Sequence, residues 1–157
     1  MKTIFSLFLV SVLLLACANN ELSPVISVTN LHLSGDETDY AEAVESMPVL
    51  KVGDEVDVTL RLSGNGAELK TFQVNSSAEV KLDELGFNPK EVSPETDFTN
   101  VEKGRLRFVD GVNTTTLMVK AMVVSTVKKE TKLSFYLSSK AETDAAQCNL
   151  ILKTQTE

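Results

Sequence analysis

The sequence predicts an all-β fold, an antiparallel β-sandwich of about seven to eight strands that follows a signal peptide. From Val25 onward, apolar and polar residues alternate with the period of two that is typical of strands with one buried face. Turn-forming residues separate the alternating segments, and no long helical pattern interrupts them. The 157 residues, 43% of them hydrophobic, suffice for one domain with one core.

The N-terminal residues have the order of a secretory signal. Lys2 supplies the positive charge, and residues 4–15 form an uncharged, mostly apolar run that is shorter than the ~20 residues of a membrane-spanning helix. The run ends in Leu14-Leu15-Ala16-Cys17, which resembles the lipobox of bacterial lipoproteins. An ordinary secretory peptide with an incidental cysteine is the alternative interpretation.

The lipobox resemblance implies that residues 1–16 are removed, that the Cys17 thiol carries diacylglycerol and that the new amino terminus is acylated. Several acyl chains anchor a protein almost permanently, at ~0.8 kcal/mol per buried CH₂. Residues 17–24 then form the lipidated cysteine and a tether, and residues 25–157 form the sandwich domain. Ala18 is not the aspartate of an inner-membrane retention signal, which favours the outer membrane, in either leaflet. Apart from this covalent lipid, no cofactor is expected.

The clearest predicted strand is 56–62, in which four apolar residues alternate with polar ones. Residues 25–33 also have a strand pattern, in which the alternation of apolar and polar residues can shift by one position. The Asp110-Gly111 pair predicts a hairpin between the fifth and sixth strands, and the apolar residues within 119–124 predict a central strand covered on both faces. The full set of predicted strands is 25–33, 56–62, 69–75, 79–82, 105–109, 114–126, 132–139 and 147–154.

Residues 52–60, a turn followed by an alternating strand, carry a further resemblance. This arrangement resembles the immunoglobulin-like modules of bacterial surface proteins. A lipobox followed by one such domain also resembles the small envelope lipoproteins of Bacteroides-type bacteria. These resemblances imply an immunoglobulin-like sandwich and a location in the cell envelope, and they imply no particular chemistry.

Two long connections between the strands are the candidate binding segments, because loops vary while the sheets hold their ends. Residues 34–53 carry the carboxylates of Asp36, Glu37 and Asp39, which would favour a basic partner. Residues 86–104 carry Phe87 and Phe98 as apolar anchors. The alternative is that both rings enter the core and that the carboxylates only keep a surface protein soluble.

The first connection also has the pattern of a short helical turn. Asp39 is placed to cap it, and Tyr40 and Met47 would then pack on the sandwich.

The chain offers little material for catalysis or metal binding. His32 is the only imidazole, and it is predicted to point outward from a strand. Cys148 shares a face with Leu150 and Leu152, which predicts a buried, unreactive thiol. No CxxC or 12-residue calcium loop is present, so no metal is expected. We therefore expect no enzymatic activity.

Net charge restricts the class of partner. The chain has 22 acidic and 15 basic side chains, a formal charge of −7, so nucleic acid is not an expected partner. The leading interpretation is a lipid-anchored, non-enzymatic binding or accessory module of the outer membrane or cell surface. The alternatives are a subunit of a fimbria-like surface assembly held by strand addition, and a glycan-binding or calcium-binding module. Tyr136, predicted to point outward, is the one ring that supports glycan binding.

Overall fold

Two antiparallel sheets stack to form a β-sandwich, as predicted. The computed structural model describes residues 16–17, 23–94, 98–127, 130–141 and 143–154, the first pair by its backbone alone. Most of the predicted signal peptide and tether, residues 1–15 and 18–22, lies outside the described residues. The strands are β1 (Ala16–Cys17), β2 (Val25–Leu33), β3 (Glu55–Ser63), β4 (Leu69–Ser76), β5 (Val80–Gly86), β6 (Arg105–Arg107), β7 (Thr114–Val123), β8 (Glu130–Ser139) and β9 (Ala146–Lys153).

Only some of the paired strands are consecutive in the chain. One sheet has five strands in the order β1-β2-β3-β7-β5, and the other has four in the order β6-β4-β8-β9. Each of the eight predicted strands coincides with one strand from β2 to β9. The described residues contain no helix that is long and apolar enough to cross a membrane.

The alternating pattern places one face of every long strand in a shared core. The four apolar residues of β3 are completely or almost completely buried, as the period of two predicted. Phe72 of β4 and Phe135 of β8 stack at the centre, with ring centroids 6.4 Å apart. Cys148 is 3% exposed, which confirms the prediction of a buried thiol.

A shift in phase does occur in β2. The register against β3 slips between Val28 and Asn30. Ile26 before the slip and Leu31 after it are both buried, although they lie five positions apart and would face opposite sides of a regular strand. A β-bulge inserts one extra residue and so restores the inward direction of the apolar side chains.

The predicted hairpin at Asp110-Gly111 is wrong. Gly111 does adopt a positive φ of 87° in a turn, but β6 pairs with β4 in one sheet and β7 pairs with β3 and β5 in the other. The turn therefore lies in a connection that crosses between the sheets. A turn signal fixes the local direction of the chain and does not determine which strands pair.

The prediction that the strand at 119–124 is covered on both faces is also wrong. Strand β7 is central in its sheet, yet only its inward residues, such as Val119 and Ala121, are buried. Met118 on the outer face is 58% exposed. The apolar run reflects methionine and valine on an uncovered face and not a third layer of structure.

The two long connections pack more closely than their composition suggests. In the first, Tyr40 and Met47 are buried as predicted, although the short 3₁₀ turn spans Val44–Ser46 and has no side-chain cap. In the second, Val92 is buried and bridges to Phe108. These contacts fix the positions of the candidate binding segments.

Candidate binding surface

The carboxylate of Asp39 closes the outer edge of β2. Its Oδ1 accepts hydrogen bonds from the backbone N–H groups of Leu31 and Ala41, each at 2.9 Å. Its Oδ2 accepts one from the side-chain amide of Asn30 at 2.8 Å. The N–H of Tyr40 donates to the carbonyl of Leu31 at 2.8 Å. Both backbone groups of an edge residue are thereby satisfied, which protects the sheet from pairing with another strand.

The carboxylate of Asp36 organises the same connection. It accepts hydrogen bonds from the backbone N–H of Thr38 at 2.9 Å and from the Tyr40 hydroxyl at 2.6 Å. Hydrogen bonds from Thr38 and Tyr40 lower the pKa of Asp36 to about 2. The backbone hydrogen bond from Ala41 is the main reason that the pKa of Asp39 also lies below its usual value.

The acidic connection therefore presents fewer free carboxylates than its sequence indicates. Asp36 and Asp39 use their oxygens within the connection, and Glu37 is left as an exposed carboxylate between them. A role for these three residues in binding a partner stays a prediction.

Acidification is expected to loosen this connection before the sandwich unfolds. The pKa of Asp36 is about 2 in the folded protein against an ordinary 3.8. Its stabilising effect is therefore complete above about pH 3.8 and is lost as the pH falls through about 2. In a Tyr136→Phe variant Tyr40 is the remaining tyrosine of a chain without tryptophan, so its emission reports the change. In the same background, Asp36→Asn should abolish the change in Tyr40 emission as the pH falls towards 2. A change in emission that persists in this variant would show that Asp36 is not the group that titrates.

The two phenylalanines occupy different places. Phe87 follows β5 and packs against the core. Phe98 lies against the edge strand β6, where the guanidinium carbons of Arg105 and Arg107 lie 5.5 Å and 5.9 Å from its ring centroid. The core alternative is thus observed for Phe87, whereas Phe98 is half-buried beside charged groups.

The five residues predicted for partner binding do not form one surface. The acidic connection borders β2, and Phe87 follows β5, so β3 and β7 lie between them in the five-stranded sheet. Phe98 lies beside β6, at the edge of the other sheet. The strand order, which the sequence does not reveal, separates them.

The outer face of the four-stranded sheet carries a set of uncharged polar side chains, of which the sequence pattern singled out Tyr136 alone. The register aligns Gln73, Tyr136 and Gln147 in one row across β4, β8 and β9. The two flanking rows on this face are also polar, with Thr71 opposite Ser138 in one and Asn75 opposite Ser134 and Asn149 in the other. We name as the amide face the six residues Thr71, Gln73, Asn75, Tyr136, Gln147 and Asn149.

Hydrogen bonds order the side chains of the amide face. The amide of Gln73 donates to Asn75 Oδ1 at 2.7 Å, and that of Gln147 donates to Asn149 Oδ1 at 3.2 Å. Gln147 Nε2 also lies 3.3 Å from the Tyr136 hydroxyl oxygen. Each amide keeps further donors and acceptors that face solvent. The period-two polar pattern was visible in each strand, but its convergence depends on the strand order.

The outer face of the five-stranded sheet has a different character. The register aligns Glu84, Lys120, Asp57 and His32 in one row, with Lys120 Nζ 3.8 Å from Asp57 Oδ1. A shallow depression of about 260 Å³ lies along this row beside Met118. His32 points outward as predicted, and its Nδ1 lies 3.0 Å from the carbonyl oxygen of Thr38. No group of three acidic, histidine or cysteine side chains suited to a metal ion occurs among the described residues.

Comparison with known proteins identifies a family. Residues 17–154 match the model of a family described as a domain of unknown function, DUF5035. This match covers most of the chain. No curated protein is significantly similar to the chain in sequence.

Several solved structures are similar in fold. A DUF4466 family protein from Parabacteroides merdae is 17% identical, with a TM-score of 0.43 over 81% of this chain and 46% of its own. A collagen-binding domain from a Staphylococcus aureus adhesin is 11% identical, with a TM-score of 0.41 over 63% of this chain and 87% of its own. A family 123 glycoside hydrolase from Clostridium perfringens is 10% identical, with a TM-score of 0.44 over 86% of this chain and 27% of its own. The chain spans less than half of the first protein, and these likenesses concern the fold alone.

Proposed function

We propose that this chain, which belongs to the DUF5035 family, is a non-enzymatic binding module of the bacterial cell envelope, anchored by lipid on Cys17 and immunoglobulin-like in its sandwich. The lipobox supports the anchor, and the family match begins at Cys17 itself. The backbone of Cys17 pairs with Ile26 at the β2 edge of the five-stranded sheet. The proposed location is the outer membrane, to which the covalent lipid anchors the protein. The proposal includes no cofactor other than this lipid.

The amide face is the observation that supports a binding function. Its one aromatic ring and its amides lie on neighbouring strands of a sheet whose opposite face is packed into the core, so the scaffold holds them rigidly. Uncharged donors and acceptors on such a platform suit a partner with many hydroxyl or amide groups. In this proposal the amide face replaces the acidic connection as the main contact surface.

The surroundings of the chain's single histidine support a function without catalysis. His32 stands between Asp57 on the neighbouring strand and the carbonyl of Thr38. Cys148, the thiol within the sandwich, is buried in the core. A nucleophile and a general base need to lie within hydrogen-bond distance of each other, and these two side chains do not share a surface.

A fimbria-like assembly subunit has less support, because strand addition needs an open sheet edge and three edges, at β2, β6 and β5, are covered or charged. The edge at β9, whose only strand partner among the described residues is β8, is the one that leaves this alternative standing. The acidic connection covers β2 through Asp39 and Tyr40. Residues of the connection that precedes β6 also pair with it, since the N–H of Ser93 donates to the carbonyl of Arg107 at 2.8 Å and Asn100 bridges to Arg105. Strand β5 exposes charged residues, which oppose pairing with another chain.

Cys17→Ser is expected to release the protein from the membrane or to leave its precursor uncut. Serine lacks the thiol that forms the thioether, so no acyl chain is attached. Intact mass of the wild-type protein should show cleavage before Cys17 together with the acyl groups. A mature mass that corresponds to cleavage elsewhere, without acyl groups, would end the proposal of a lipid anchor.

Cross-linking on intact cells tests the binding half of the proposal. A photo-reactive amino acid at Gln147, exposed on the amide face, is expected to capture an envelope component. The matched control is the same amino acid at Thr116, exposed on the outer face of the five-stranded sheet. Absence of a product at Gln147, or identical products at both positions, would contradict binding through the amide face.

A further inference from the structure

Two arginines adjoin the amide face, and neither has a carboxylate partner among the residues that the structure describes. Arg105 and Arg107 are two residues apart on β6, so both point to the outer side of the sheet. The ion pairs of the described residues involve Lys120 and Lys140 and neither arginine. Arg105 Nε is buried and has no hydrogen-bond partner among the described residues. In a chain of net charge −7, this arginine pair is a local basic site.

Phe98 holds the arginine pair in place. The ring lies within 6 Å of both guanidinium groups, a distance at which the attraction between cation and ring is effective. A guanidinium that stacks on a ring keeps its N–H donors at the edge of its plane, where they match the oxygens of a carboxylate or sulfate. The exposed N–H donors of these guanidinium groups are the ones that an anionic group would meet at this edge of the sheet.

The register connects this anion site with the amide face. Arg105 pairs with Gln73, which pairs with Tyr136, which pairs with Gln147. With strands ~4.8 Å apart, the row extends for roughly 15 Å. A ligand along it meets positive charge at one end and uncharged donors, acceptors and one aromatic ring over the remainder.

We infer that the amide face and the arginine pair together bind a largely neutral oligosaccharide that carries an acidic sugar. The inference rests on the proposed binding function and names the class of its ligand. Sugar hydroxyls match the amides of Gln73 and Gln147, and the Tyr136 ring offers an apolar surface for a sugar ring. A densely charged polyanion fits less well, because the negative surface of the whole chain repels it.

An array of paired oligosaccharides tests this inference on the full-length protein in detergent. The members of each pair share a neutral backbone and differ by one carboxylate or one sulfate, so the array also distinguishes these two anions. At least one acidic member should bind about tenfold more tightly than its neutral counterpart, which is the size expected for charge-assisted hydrogen bonds.

Variants assign the preference to the arginine pair. Arg105→Gln/Arg107→Gln should remove the preference for the acidic member, whereas Lys81→Gln/Lys103→Gln, which removes the same charge from other exposed positions, should preserve it. If the double variant is unstable, Arg107→Gln alone, at an exposed position, replaces it. This single substitution should reduce the preference for the acidic member by a smaller factor. Tyr136→Ala should weaken the binding of the acidic oligosaccharide and of its neutral counterpart alike.

Two results would overturn the inference. If both members bind equally and only Tyr136→Ala matters, the ligand is a neutral glycan, and the proposed binding function stands. If the wild-type protein binds no oligosaccharide, the ligand class is wrong, and cross-linking at Gln147 decides separately whether the amide face binds another envelope component.

Discussion

Leu60→Asp is expected to unfold the sandwich at ambient temperature. Leu60 is fully buried on β3, and its partners in the register, Val28 and Leu117, lie on either side of it in the five-stranded sheet. An unpaired carboxylate at this position costs several kcal/mol, against a total stability of about 5–15 kcal/mol for a domain. Far-UV circular dichroism during thermal unfolding measures the effect.

The neighbouring residue provides the matched control. Arg61 lies on the same strand with its side chain exposed on the opposite face, so Arg61→Asp introduces the same group without burial. We expect it to change the melting temperature by only a few degrees. Equal melting temperatures for Leu60→Asp and the wild-type protein would show that β3 is placed in the wrong register.

The strands could be predicted because their signal is local. A side chain on a strand points to one face or the other according to its position alone, so the pattern around Leu60 identifies β3 without reference to any partner. The change of phase in β2 was visible for the same reason. Pairing is not local, and the turn at Asp110-Gly111 therefore gave no indication that β6 and β7 belong to different sheets.

The candidate site was harder to predict for a related reason. The carboxylates of Asp36 and Asp39 were visible in the sequence, but the backbone N–H groups that use them, such as that of Leu31, meet them only in the folded chain. The polar residues of the amide face alternate in each strand, and this was also visible. Their convergence needs the order β6-β4-β8-β9, which places β8, with Tyr136, between the residues of β4 and those of β9.

The same dependence on order explains Phe98. Its sequence neighbourhood indicated an apolar anchor in a polar connection, and the ring is indeed half-buried at the surface. What the sequence did not indicate is that Arg105 and Arg107 stack on it. The function that we propose for this region consequently depends on the contact between the two guanidinium groups and the Phe98 ring. It does not depend on the apolar contact with a partner that the sequence predicted.

Gly104→Ala is expected to destabilise the protein by about 2–4 kcal/mol and to disturb the arginine pair. Gly104 ends the 3₁₀ turn Val101–Lys103 with a φ of 66°, in the left-handed region that side chains disfavour. An added Cβ would lie 2.5 Å from Val74 Cγ1 and 2.8 Å from the Val74 carbonyl oxygen. Because that oxygen belongs to the backbone of β4, it can move only if the sheet moves.

Gly66→Ala separates the cost of the steric clash from the cost of the backbone conformation. Gly66 also has a positive φ, 97°, but no atom lies within 4 Å of its added Cβ, so only the conformational cost of about 1 kcal/mol is expected there. Denaturant unfolding of both variants measures the difference. Since Arg105 follows Gly104 directly, Gly104→Ala should also weaken the preference for acidic oligosaccharides, whereas Gly66→Ala should preserve it. Equal destabilisation by the two substitutions would show that the turn does not press Gly104 against β4, and the position assigned to the arginine pair beside the amide face would lose its structural basis.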